Sequence, residues 1–282
     1  MPLPRPDAEG DKDARGRVLV VGGSALTPGA ILLAGVAALR AGAGKLQLAT
    51  VRSTAPALGV AVPESLVVPL AETRAGEIAG KAGARSLLAR VADADALLLG
   101  PGMTSDRAAS ALVRALVPRL REDAVLVLDA AAILAVDGAA GLLRRLGGRV
   151  VLTPHAGEMA SLLDVPKALV EDDPATVARD AAARYGVVVA LKGPESWIAE
   201  PDGTLHHYAG GTVGLATSGS GDTLAGIVVG LAARGAPAAH AAVWGAYLHG
   251  AAGRSLARRV GPIGFLAREL LDEVPALMHR LS

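Results

Sequence analysis

Residues 217–226 read T-S-G-S-G-D-T-L-A-G, small residues that run into an apolar helical stretch. Gly219 and Gly221 let the backbone approach a ligand closely, and successive amide N–H groups can point into one concavity. The start of a helix adds about half a positive charge. Gly219, Ser220 and Gly221 therefore read as an anion hole suited to a transferring phosphoryl group. Asp222, in the first turn, is placed to accept a proton from a substrate hydroxyl. An aspartate there also fits a plain helix cap.

Five more loops carry residues of chemical interest. Lys192, with Gly193, Pro194, Glu195 and Ser196, follows an apolar run and can meet a phosphate as a point charge; an ordinary lysine before a turn would look the same. In L-T-P-H-A-G-E-M, Thr153 and Pro154 resemble a helix start, and Glu158 falls in the first turn, where the dipole favours it. His155 in that stretch is placed over the expected cleft, as a ligand contact or a structural histidine. Gly100–Gly102 (residues G-P-G) and Gly22-Gly23-Ser24 are further glycine turns, the second followed by Pro28-Gly29-Ala30. Asp129 closes the run V-L-D and can hold Mg²⁺ or water, or cap a turn. The glycines match neither G-x-G-x-x-G nor G-x-x-x-x-G-K-[ST], and there is no G-x-S-x-G. His206 and His207 lie in an expected hairpin without an acidic or histidine partner at metal spacing, so no dedicated transition-metal site is expected. Trp244 and Tyr247 read as packing residues.

These loops need strands to hold them. Short apolar runs at 17–21, 45–49, 96–99, 124–128, 150–152 and 187–191 alternate with helical stretches at 29–41, 76–92, 105–120, 157–163 and 174–185. Continuous apolar strands suit a parallel sheet covered on both faces. The alternation predicts an α/β, mostly parallel, doubly wound sheet, whose functional loops lie at the carboxyl ends of its strands. Residues 196–200 and 204–208 flank Pro201-Asp202-Gly203 and read as a hairpin. Helices are expected at 221–234, 238–259 and 262–281. One domain is expected over 16–282, after a flexible tail at 1–15.

Composition narrows the function. The 282 residues carry 28 Lys+Arg against 27 Asp+Glu, a formal net charge of +1, which argues against electrostatic binding to nucleic acid or anionic membrane. Aromatic residues make up 2 %, too few for base-stacking platforms. Cysteine is absent, which excludes disulfides, Cys-ligated zinc and a Cys nucleophile, and suits the cytoplasm. The longest apolar runs stop at Arg40 and Arg234, short of a membrane span, and the polar residues 1–17, without an apolar stretch, are not expected to act as a secretory signal.

The order V-x-G-G-S, P-G-A-x-x-L-A, G-P-G-M, L-T-P-H-x-G-E-M, L-K-G-P and G-S-G-D-x-L-A-G-I resembles the ADP-dependent NAD(P)H-hydrate dehydratase family, a branch of the ribokinase-like superfamily, over residues 17–257. The resemblance implies repair of NADHX or NADPHX, nicotinamides hydrated at C6: ADP phosphorylates the hydroxyl, and loss of phosphate restores the dihydronicotinamide. It assigns Asp222 as the proton acceptor and Gly221 as the anion-hole glycine. Lys192, Gly193, Pro194, Glu195 and Ser196 become the nucleotide-contacting stretch. Ala30, Gly102, His155 and Asp222 line the hydrated-dinucleotide pocket. Mg²⁺ would bridge the nucleotide phosphates, and a homotetramer is implied. An epimerase domain, fused ahead of this one in some relatives, is expected to be absent. The chain departs from the family pattern at Ser218, at Ala131 and across residues 207–212. The rival within the superfamily is a vitamin or sugar kinase of the hydroxyethylthiazole or hydroxymethylpyrimidine type, which shares the anion hole and base but not L-T-P-H-x-G-E.

Overall fold

Apolar runs bounded by Gly, Pro and Asp become strands because each can bury both of its faces at once. In the computed structural model, which describes Leu3 and residues 10–281, nine strands form one sheet. They are β1 (Arg17–Val21), β2 (Lys45–Val51), β3 (Ser65–Leu70), β4 (Ala96–Leu99), β5 (Val125–Leu128), β6 (Val150–Leu152), β7 (Val188–Leu191), β8 (Ser196–Ala199) and β9 (Leu205–Tyr208), in the order β3-β2-β1-β4-β5-β6-β7-β8-β9. The first seven run parallel and the last two form the antiparallel hairpin.

Alternate residues of each strand feed two cores. Leu19 and Val21 of β1, Leu97 and Leu99 of β4, and Leu126 and Leu128 of β5 face one; Val18, Val20, Ala96, Leu98, Val125 and Val127 face the other. The helices, in chain order, are α1 (Pro28–Arg40), α2 (Ala55–Ala61), α3 (Gly80–Arg85), α4 (Leu88–Ala92), α5 (Asp106–Leu116), α6 (Ala140–Arg144), α7 (Ala156–Leu163), α8 (Lys167–Asp172), α9 (Pro174–Tyr185), α10 (Ser220–Ala233), α11 (Ala238–Arg259) and α12 (Ala267–His279). Helices α5, α7 and α9 cover the first face; α1, α10 and α11 cover the second. None of the helices among the described residues is long and apolar enough to cross a membrane.

The structure differs from the sequence reading in several places. Strand β3 was not expected: its Pro69 argues against a strand interior, but β3 is an edge strand that pairs only with β2, where proline costs no ladder bond. The stretch expected as one helix over 76–92 is a Glu72–Ile78 bridge followed by α3 and α4. The short helices α2 and α8 lacked a full amphipathic period. Residues 10–15, expected in a flexible tail, form a turn in which Asp13 pairs with Arg17 and Lys45 and Asp11 accepts from the Asp13 and Ala14 amides. The rest of that tail, Leu3 apart, lies outside the described residues.

Strand order sets the position of the cleft. The order of connection reverses between the parallel strands β1 and β4, with β2 and β3 laid on one side of β1 and β4 onward on the other, and ligands of such sheets bind outside the carboxyl ends of the strands there. The loops after β1, β4, β5, β6 and β7 thus stand in one row and present Gly23, Gly102, Asp129, His155 and Lys192 in turn.

Candidate active site

Helix α10 begins against that row. Gly219 is its N-cap at φ +87°, a conformation L side chains rarely adopt, and a side chain there would also run into Leu33 of α1. The Ser220 N–H donates to the Thr217 carbonyl at 3.2 Å, and the Thr223 N–H donates to Gly219 at 3.0 Å. The Gly221 and Asp222 N–H groups precede that first full helical bond and are the pair best placed for an anion. Of the three-residue hole expected from the sequence only Gly221 keeps that place, now with Asp222: Gly219 makes the turn, and the Ser220 amide is committed to Thr217. At Gly221 a Cβ would meet only the Lys192 ammonium, at 3.1 Å. The start of α10 thus reaches from Leu33 on one side to Lys192 on the other.

Lys192 sits in a nest of carboxylates. Its Nζ lies 3.1 Å from Asp129 Oδ1 and 3.9 Å from Glu158 Oε2. The Thr153 hydroxyl donates to the same Asp129 oxygen at 2.7 Å, and Asp129 is only 3 % exposed. Burial lowers the lysine's pKa, but Asp129 and then Glu158 outweigh it and hold the ammonium above its usual range. Asp222 responds oppositely. Burial first, then the negative charge of Asp129, push its carboxyl up to about 7, against the pull of Lys192. A carboxylate poised near neutrality suits a general base.

Sequence reasoning left Asp129 between ligand and turn cap and took Glu158 as a dipole charge. The structure brings both to Lys192. The signal that could have found them is positional: Asp129, Thr153 and Lys192 each directly follow a buried apolar strand, and β5, β6 and β7 are adjacent. Lys192 also supplies positive charge in a region that reads as poor in basic residues.

His155 caps α7. Its Nδ1 accepts from the Gly157 and Glu158 amides at 3.0 and 3.2 Å, while Glu158 Oε2 accepts from the His155 N–H at 2.8 Å. Nδ1 is thus the accepting nitrogen, while Nε2 lies 3.6 Å from Glu158 Oε1 and is the ring nitrogen with room to meet a ligand. The imidazole lines a cavity of about 570 Å³ with Lys192, Gly193, Pro194, Glu195 and Trp197. Ala30 and Gly102 meet at the β1–β4 switch instead: a Cβ at Gly102, φ +67°, would lie 2.8 Å from the Ala30 Cβ and 2.6 Å from the Thr27 carbonyl. The candidate residues thus fall at the two ends of one row, with the start of α10 between them.

The hairpin covers the nucleotide stretch. His207 Nε2 lies 2.6 Å from Glu195, and its ring stacks on Trp197 at 4.0 Å; His206 pairs with Glu200 at 2.9 Å. Both histidines thus have the acidic partners that spacing did not show. These are pairs, however, and no group of three or more metal-ligating side chains converges among the described residues. Asp129, Glu158 and Asp222 offer hard oxygen ligands, but the Lys192 ammonium lies among them, so a protein-held metal does not fit this donor set. Trp244 and Tyr247 pack edge to face, as expected of them.

Known proteins resemble the chain over nearly its whole length. A family model described as NAD(P)H-hydrate dehydratase matches residues 18–276. An ADP-dependent (S)-NAD(P)H-hydrate dehydratase from Xanthomonas campestris is 52 % identical over 99 % of the chain and 93 % of its own length. A bifunctional NAD(P)H-hydrate repair enzyme from Moorella thermoacetica is 43 % identical over 99 % of the chain but only 52 % of its own length. The crystal structure of an ADP/ATP-dependent NAD(P)H-hydrate dehydratase from Bacillus subtilis, co-crystallised with ATP/Mg²⁺, superposes with a TM-score of 0.82 at 30 % identity, covering 100 % of this chain and 95 % of that one. A hydroxyethylthiazole kinase from Pyrococcus horikoshii shares the fold alone, at 17 % identity and a TM-score of 0.59 over 94 % of this chain and 89 % of that one. With its α/β ribokinase-like sheet, its glycine turn ahead of Asp222 and these matches over nearly its whole length, the chain belongs to the NAD(P)H-hydrate dehydratase family.

Proposed function

We propose that the chain dehydrates NADHX and NADPHX with ADP as phosphoryl donor. The observation that carries this reading is Asp222, half-buried in the first turn of α10 near the Lys192 ammonium, with its carboxyl at about 7. The Asp222 carboxylate takes the proton of the C6 hydroxyl, whose oxygen bonds to the terminal phosphorus of ADP as AMP leaves. The Gly221 and Asp222 N–H groups and Lys192 meet the charge on the phosphoryl oxygens. In the second step the C6–O bond breaks with help from the ring nitrogen's lone pair. The C5–H proton departs and phosphate leaves, restoring the C5=C6 double bond. The strand-end row holds the nucleotide against Lys192, Gly193, Pro194, Glu195 and Ser196, and the dinucleotide from Ala30 and Gly102 across to His155, whose ring borders the nucleotide cavity. Mg²⁺ belongs to this reading as the counter-ion of the nucleotide phosphates, without a cage of protein ligands. A homotetramer goes with it on the strength of the family resemblance, and a cytoplasmic location follows the expectation drawn from the cysteine-free sequence.

Product stoichiometry tests the reading against a kinase. With NADHX and ADP, AMP, inorganic phosphate and NADH should form in equal amounts. A vitamin or sugar kinase would instead accumulate a phosphorylated alcohol and release no phosphate.

A further inference from the structure

The reaction just described leaves one half-buried histidine without a task. His249, on α11, shares a hydrogen bond of 2.8 Å with the hydroxyl of Ser220, the first residue of α10, which is 4 % exposed. Burial, and then the charge of Lys192, hold the imidazole down to about 4, so it is neutral at physiological pH. It therefore adds no cation that would compete with Lys192 for a phosphoryl oxygen. What it adds is a tie between two helices at one point. Ser220 directly precedes Gly221 and Asp222, whose N–H groups and carboxylate carry the proposed chemistry. The Ser220 amide is already bound to Thr217, so this residue is held at both its backbone and its side chain.

We propose that His249 is a positioning residue for phosphoryl transfer: through Ser220 it fixes the first turn of α10, so that the Gly221 and Asp222 N–H groups and the Asp222 carboxylate face the position over which Lys192 sits. The proposal rests on the dehydratase reading. A buried hydrogen bond that only held the helices together would change stability and leave turnover per folded molecule intact. One that orients a donor pair changes kcat, because misplacement of the order of an ångström is costly in a preorganised site.

The test uses Ser220→Ala, which removes one hydroxyl from a helix start, together with His249→Phe, His249→Gln and the Ser220→Ala/His249→Phe double variant. Folded fraction is followed by thermal unfolding, and kcat and KM for ADP are measured on the full chain. Ser220→Ala and His249→Phe should each lower kcat about ten-fold, the scale of one well-placed hydrogen bond, with KM for ADP within about three-fold. The double variant should be no worse than the poorer single variant, and His249→Gln, which can still bond to Ser220, should recover most of the loss. Should His249→Phe fail to fold, Ser220→Ala with its own kcat decides. Wild-type kcat in folded Ser220→Ala, or losses that add in the double variant, would overturn the proposal. Absence of turnover in the wild type would instead overturn the dehydratase reading itself.

Discussion

Replacing Asp222 with asparagine should make the protein more stable while it slows the chemistry. The folded carboxyl keeps its proton up to about pH 7, whereas an unfolded aspartate releases it near 3.8. Between those values the folded state binds more protons than the unfolded one, so this group's contribution to stability falls as pH rises through the window. A displacement of about three pH units is worth about 4 kcal/mol at full ionisation, taking about 1.4 kcal/mol for each. Asp222 keeps an edge towards solvent, so we expect about 1–3 kcal/mol to be observed. Asparagine does not ionise, and Lys192 retains Asp129 and Glu158 as partners. The gain of Asp222→Asn over wild type should thus be near zero at pH 4 and fully developed by pH 8. Urea unfolding at both pH values measures it directly. A variant less stable than wild type at pH 8, or a difference that does not change with pH, would refute the assignment of a buried, charge-crowded carboxylate. Such a trade of stability for activity is common at catalytic sites.

The other predictions concern the glycines and His155. Gly221→Ala should collapse turnover with little change in Tm, because its Cβ meets only the movable end of Lys192, whereas Gly219→Ala should lower Tm because of its positive φ and Leu33; the reverse pattern would exchange their roles. His155→Ala should raise the KM for NADPHX about ten-fold and cost about 1 kcal/mol of stability through the lost α7 cap, with ADP affinity held. Loss of ADP affinity with an unchanged KM for NADPHX would instead move His155 to the nucleotide side of its cavity.

The parallel strands were legible because each is a short apolar run that buries both faces. The glycine turn before α10 was legible because its composition has few other uses. Strand β3 was hidden by Pro69, whose tolerance depends on edge position, and edge position is a property of the whole sheet. Ser220 looked like part of the anion hole until its amide and hydroxyl were seen to be engaged by Thr217 and His249. Asp129 and Glu158 were ambiguous for a related reason. A carboxylate at a strand end or in a first turn has a sufficient local explanation, and its meeting with Lys192 depends on strands distant in sequence lying side by side. His155 shows the same overlap: capping α7 occupies Nδ1, which leaves Nε2 for a ligand.

The central claim is that Asp222 and the start of α10 drive ADP-dependent dehydration. The direct measurement mixes purified wild-type protein and Asp222→Asn with NADPHX, ADP and Mg²⁺ and follows the absorbance band of the dihydronicotinamide. The wild type should restore the band only when ADP is present, at a rate that rises as pH passes through about 7, and Asp222→Asn should be slower by about 10²-fold or more. No return of the band with wild-type protein, or near-wild-type rates in Asp222→Asn, would contradict the account.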